Sequence, residues 1–380
     1  MNTPKGRVVS EGSPSGDVHL GGVCHVVYAY DLGFAVDLDA AQRHVSASDR
    51  PQVVRMRRPA PTWFEYRRPP LRVIVEGEAI ELEGWRTEAS VECLIHDFAG
   101  AAVIYRIPFD AAPSALARLS ATLYANQTLV DDARRRIAGV FEMIRPAISR
   151  PALGDVVEDY IIFAARTWGD RAPSEVIARV GAPLAAMLLA ERGAVSDEQV
   201  TRALSGRLSY SPSDAAIVDW NAAVLFDEAP EDVVALLVHA NIELLEMRII
   251  DDQLDTLLDR AHDLLAKISR RRFWTLGVGS HELRDFAEIQ TDAALLFEGV
   301  DNAIKLAGDQ YLARLYRTAA ERLHLPSWDA GVLRKLATAD SVYQKMTDAA
   351  RDRRMELLEI VIILLILISL FTPLIPGLGH

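Results

Sequence analysis

Asp251, Asp255 and Asp259 recur at four-residue spacing in a stretch with helical periodicity, with Asp252 beside the first of them. That spacing stacks the three carboxylates on one helix face. Carboxylates so placed can bridge a hard cation such as Mg2+, which makes Asp251, Asp255 and Asp259 the candidate ligands of a magnesium-dependent enzyme. Such a site needs a second acidic motif across a cavity, and none is apparent. The competing reading is a solvated face paired with Arg248 and Arg260. A second cluster lies between Arg50 and Arg72, where arginines alternate with prolines and with Trp63, Phe64 and Tyr66. Its residues Arg55, Arg57, Arg58, Trp63, Arg67 and Arg68 form a candidate contact loop for lipid headgroups, RNA or a partner protein. Arginines paired with the acids of the body are the alternative. The nine histidines are scattered, and HExxH, a glycine-rich phosphate loop and GxSxG are all missing. His239, Asn241, Trp220 and Asn221 read as structural. No catalytic residue or cofactor is assigned, and the chain is expected not to be an enzyme.

The elements that hold these residues follow from composition and pattern. The chain has 380 residues, half of them hydrophobic and a quarter charged, enough for two to three domains. A net charge of −12 argues against a general nucleic-acid partner. Two cysteines, Cys24 and Cys93, cannot build a disulfide framework. Residues 1–22, rich in Gly, Ser and Pro, read as a mobile tail. Residues 23–125 read as a small α+β domain, with hairpins around Glu76-Gly77-Glu78 and Ala99-Gly100. A ferredoxin-like antiparallel sheet is the expected arrangement. Residues 126–229 read as a helical domain with a short strand segment, Asp155–Thr167 being one of the helices. From residue 230 to 354 the apolar residues recur at spacings of 3 and 4. The series Val233, Leu237, Ala240, Leu244, Met247, Asp251, Leu254, Leu258, Ala261, Leu265, Ile268 is a coiled-coil-type seam with one polar member. Two further series, from Phe286 and from Val332, complete a set of long antiparallel helices.

The end of the chain reads differently. No charged residue occurs from Ile360 to Gly379, a run that matches the ~30 Å hydrocarbon core of a bilayer. Arg351, Arg353 and Arg354 precede it and place that flank in the cytoplasm. Residues 355–376 are therefore expected to be a transmembrane anchor, with Ile360, Leu364, Leu367 and Phe371 in the bilayer. The fold class expected is α+β: a small antiparallel-sheet N-terminal domain, long antiparallel helices and one C-terminal transmembrane helix. The localisation expected is the inner membrane, single-pass, with the body in the cytoplasm.

The segment from Ala216 to Asp255 (AIVDWNAAVLFDEAPEDVVALLVHANIELLEMRIIDDQLD) and the closing RDRRMELLEIVIILLILI resemble the required-for-meiotic-nuclear-division family, also called domain of unknown function 155. The likeness covers residues 155–372 and rests on order and texture. It implies a non-enzymatic, membrane-tethered oligomeric scaffold, self-associating through its long helices and meeting the lipid bilayer and an unknown protein partner. The layout is also similar to two-transmembrane magnesium channels, whose Gly-Met-Asn signature is missing here. That similarity implies, as an alternative, a single-helix homo-oligomeric channel.

Overall fold

The computed structural model describes residues 18–47, 53–54, 65–66, 68–270, 280–301, 304–305 and 310–371. The chain divides into two compact units, Met1–Glu246 with Val300–Pro326, and Met247–Gly299 with Ser327–His380.

The first unit is built on a nine-stranded sheet. Its strands in chain order are β1 (Leu20–Asp31), β2 (Val53–Val54), β3 (Leu71–Val75), β4 (Val91–Ile95), β5 (Gly100–Ala111), β6 (Glu158–Thr167), β7 (Arg207–Leu208), β8 (Ala215–Val218) and β9 (Ala222–Phe226). Across the sheet the order is β7-β8-β9-β6-β1-β5-β4-β3-β2. Over both units the α-helices among the described residues are α1 (Leu38–Ala47), α2 (Pro113–Leu123), α3 (Gln127–Ile144), α4 (Pro173–Arg179), α5 (Gly181–Leu189), α6 (Asp197–Leu204), α7 (Glu231–Arg270), α8 (Ser280–Asp301), α9 (Gln310–Arg322) and α10 (Leu325–Phe371).

This sheet corrects the expected small antiparallel one in two ways. It is mixed, because β6 and β9 pair in parallel, Ile161 opposite Ala222 through Ala165 opposite Phe226. A parallel pair needs a long crossover, and the stretch holding α4, α5 and α6 supplies it. The sheet also draws β6 to β9 from beyond residue 125, so a ferredoxin-like layout does not apply. Segment 158–167 is a strand and not a helix. Its apolar residues fit both periods, but Tyr160, Ile161, Ile162 and Phe163 favour the pleated form, and all four are buried. Leu71–Val75 pairs with β4, and not with residues 79–82 across a hairpin at Gly77.

One face of the sheet carries Cys24, Val26, Tyr28 and Tyr30 of β1, Tyr105 and Ile107 of β5 and Phe163 of β6 into the main core, with Leu116, Ile137 and Leu184 from α2, α3 and α5. Local signals start these helices where they begin. Pro113 stands at the first turn of α2, and the Asn126 side chain caps α3 by accepting from Leu129 N. The opposite face is covered in part by the first sixteen residues of α7. The effect is visible along β1: residues 26–30 are buried on both faces, whereas Gly21, Gly22, Val23 and His25 are only half-buried.

In the second unit, Met247, Ile250, Leu254, Leu257 and Ala261 of α7 are buried at alternating spacings of 3 and 4. The buried stripe passes through Leu257, not Leu258. Phe286 of α8 stacks on Tyr343 of α10 with ring centroids 6.1 Å apart, and Val332, Ala339 and Met346 of α10 are buried. The long helices thus pack against one another within one chain, which replaces the expected self-association.

Among the described residues no helix is long and apolar enough to cross a membrane. The uncharged part of α10 runs from Ile360 to Phe371, twelve residues or about 18 Å at 1.5 Å each, well short of the ~30 Å apolar core. Glu356 and Glu359 stand immediately before it, and residues 372–380 lie outside the described ones. Ile360, Leu364 and Leu367 are exposed. The transmembrane anchor, the bilayer as partner and the single-pass inner-membrane localisation are therefore not supported.

Candidate functional site

Four adjacent strands each carry an ionisable residue with apolar neighbours on both sides: Arg72 in β3, Glu92 in β4, Arg106 in β5 and His25 in β1. The register sets Arg72 opposite Leu94, Glu92 opposite Ile104, and His25 opposite Arg106. Alternate residues share a face and diagonal neighbours come within reach, so the four side chains form an oblique row across the face that the main core does not use. Glu92 lies between the two arginines. Its Oε2 accepts from Arg106 Nη2 at 2.7 Å, and its Oε1 is in closer contact with Arg72 Nε, an ion pair off the hydrogen-bond direction. The three side chains are 13, 10 and 21% exposed for Arg72, Glu92 and Arg106, so the trio is largely withdrawn from bulk water. The buried Nε–H of Arg106 has no hydrogen-bond partner among the described residues.

This row forms the floor of a cavity of about 1460 Å³. The first turns of α7 make an apolar wall with Val234, Ala235 and Val238, while Leu94 and Ile104 continue the apolar surface on the floor. Around the rim stand Asp39, Glu88, Asp110 and Asp232. Arg166 at the rim is already engaged with Glu231, Nη2 to Oε1 at 2.6 Å. The trio of two guanidiniums and one carboxylate leaves one net positive charge on the floor, inside a predominantly acidic rim. Anchoring on strands holds the two guanidiniums in place before any ligand arrives.

Next to the cavity, α7 covers a buried polar layer. His96 stacks on Phe98 at 5.0 Å and lies 5.6 Å from His239, ring to ring. Burial, and for His96 also the neighbouring His239, hold both imidazoles below the ordinary histidine range, His239 at about 4. Further along α7, burial and then the nearby Asp31 push the Glu246 carboxyl well above the carboxylate range. Burial likewise raises Asp31 to about 6, against the hydrogen bond it accepts from Gly33 N.

The residues singled out in the sequence are not brought together. Asp251 and Asp255 are bridged by Lys335 of α10, whose Nζ lies 2.7 and 2.6 Å from their oxygens. Burial alone would lower the Lys335 pKa, but the two carboxylates raise it. One ammonium thus occupies the place a cation would take, Asp259 stands exposed without joining them, and no metal-holding group of three or more acidic, His or Cys side chains occurs among the described residues. The magnesium enzyme and the single-helix channel both lose their basis. Arg55, Arg57, Arg58, Trp63 and Arg67 lie outside the described residues. Arg68 is exposed, lies 4.0 Å from Asp97 and lines the cavity. Glu92 and Arg106 escaped the sequence reading. The available signal was a charged residue set among apolar ones, repeated on neighbouring strands.

Residues 21–232, from the second residue of β1 to the first turn of α7, match the family described as "Uncharacterized protein MJ0711, N-terminal domain". The chain belongs to this family. It is 22% identical to Uncharacterized protein MJ0711 of Methanocaldococcus jannaschii over 218 residues, 56% of this chain and 65% of that protein. The chain therefore spans just under two thirds of the relative's length. No solved structure matches it. The match contradicts the resemblance to the required-for-meiotic-nuclear-division family, which rested on the C-terminal half, and with it the membrane-tethered scaffold. A strand-rich start followed by long helices is a texture that unrelated chains share. The MJ0711 family match, by contrast, covers the sheet and every strand that floors the cavity.

Proposed function

We propose that the protein binds a small molecule in the cavity on the second face of its sheet, and that its role there is binding and not catalysis. The reading rests on a single observation: a cavity of about 1460 Å³ whose floor carries the preset Arg72–Glu92–Arg106 trio and whose wall is apolar. Ligand sites are usually concave, mostly apolar and furnished with a few fixed polar groups, in volumes of roughly 300–1,000 Å³. This cavity exceeds that range and has room for a ligand with some water. The test is a thermal-shift screen of a small-molecule library on the full chain and on Ala235→Trp, which fills the cavity from its α7 wall. Compounds that raise the melting temperature of the wild type and not of the variant support binding there. A library without effect on the wild type, or one acting equally on both, refutes it.

A further inference from the structure

We infer that the ligand is an amphipathic monocarboxylate, its carboxylate held on Arg72 and Arg106 and its apolar body laid along α7. The inference rests on the binding reading above and adds the chemical class.

The argument is one of charge and shape. The floor trio carries one unit of positive charge that Glu92 leaves unbalanced. Arginine presents a planar fork of N–H groups matched to carboxylates, and Arg106 spends only Nη2 on Glu92, its Nε–H finding no partner. A single carboxylate on these guanidiniums makes the floor neutral. A phosphate monoester brings about −1.5 to −2 charges and leaves the floor negative. It would do so within a rim where Asp39, Glu88, Asp110 and Asp232 outnumber the exposed Arg68, so that the surplus is repelled. A neutral ligand leaves the positive charge unanswered. Beyond the floor, Val234, Ala235 and Val238 offer no hydrogen-bonding side chain, so the rest of the ligand on that side is apolar.

The experiment is calorimetric titration of the full chain with octanoate, octanol and octyl phosphate, repeated on Arg106→Gln and Arg106→Lys. Both variants keep the Arg72–Glu92 pair, and circular dichroism checks their fold. Octanoate is expected to bind about tenfold or more tighter than octanol and octyl phosphate. Arg106→Gln should remove that advantage, and Arg106→Lys should restore only part of it, since an ammonium lacks the fork. Equal binding of octanol and octanoate overturns the carboxylate while leaving a binding cavity. Tighter octyl phosphate overturns the monoanion. If no probe binds the wild type, the inference fails. The library screen with Ala235→Trp then separately decides whether the binding reading fails too.

Discussion

His239→Gln should flatten the acid side of the stability profile. In the folded chain His239 is fully enclosed beside His96, and its pKa is held at about 4 by burial. An unfolded chain returns it to about 6.5. Above pH 6.5 the imidazole is neutral in both states and costs nothing. As the pH falls below 6.5 the unfolded chain takes a proton that the folded chain refuses. Stability is therefore lost down to about pH 4, where the loss levels off. Between pH 7 and pH 5 this linkage amounts to about 2 kcal/mol for His239. His96, held low by burial and by His239, adds a loss of the same sign. Asp31 acts oppositely: its folded pKa of about 6 exceeds the unfolded value, so the stability it withholds above pH 6 returns on acidification. The wild-type profile alone mixes these effects, and the comparison of variant with wild type separates them. The assay is urea unfolding at pH 7, 6 and 5, followed by far-UV circular dichroism. His239→Gln should lose about 2 kcal/mol less than the wild type between pH 7 and 5, although it starts lower because a buried ring is gone. Parallel profiles would refute the buried neutral imidazole.

Three further outcomes follow from named contacts. Glu92→Gln strands two part-buried guanidiniums and should cost about 3 kcal/mol, whereas Arg106→Met keeps the Arg72–Glu92 pair and should cost about 1 kcal/mol; urea midpoints in the reverse order would contradict the trio. Gly100→Ala sets a methyl 2.5 Å from Phe98 Cε2 and 2.6 Å from Ile242 Cγ2, so it should destabilise by about 1–3 kcal/mol and speed amide exchange at the start of β5; a neutral result would mean that α7 does not press there. Lys335→Met leaves Asp251 and Asp255 without their shared ammonium, and thermal melts should show a cost of about 1–2 kcal/mol that Asp255→Asn partly recovers; no recovery would mean that the bridge carries little.

How far the sequence could be read depended on whether the deciding contact was local. The Ala99-Gly100 hairpin was legible, because β4 and β5 meet across a short turn whose Ala99 has φ of 73°. The seams from Phe286 and Val332 were legible too, since period 3–4 is a property of one helix. The partners of Leu71–Val75 and Glu158–Thr167 were not, because each strand pairs with one distant in the chain. Asp251 is the instructive case. Its place in an apolar seam was visible, but its partner Lys335 lies 84 positions away, and the buried stripe runs through Ile250 and Leu257 in place of Asp251 and Leu258. The cavity was least legible. In sequence Arg72 closes an arginine-rich loop cluster, His25 is one of a scattered set, and Glu92 and Arg106 belong to no motif, since only the register of four strands makes a row of them. The apolar end of α10 misled because the uncharged run from Ile360 to Gly379 matches a bilayer in length, although Pro373 and Pro376 interrupt it and the helical part before them is short.

The position of β1 has a consequence for how the chain is made. It lies at the centre of the sheet, hydrogen-bonded to β5 on one side and β6 on the other. Leu20–Asp31 leaves the ribosome before the other strands of the sheet, yet its second partner is complete only at Thr167. At roughly 5–20 residues per second, the strand waits on the order of 10 s with one apolar edge open. Vectorial synthesis thus leaves the middle of the sheet until late. A fragment ending before residue 158 should expose β1 as a sticky edge, and translation pauses placed there should show as aggregation, not as a loss of binding.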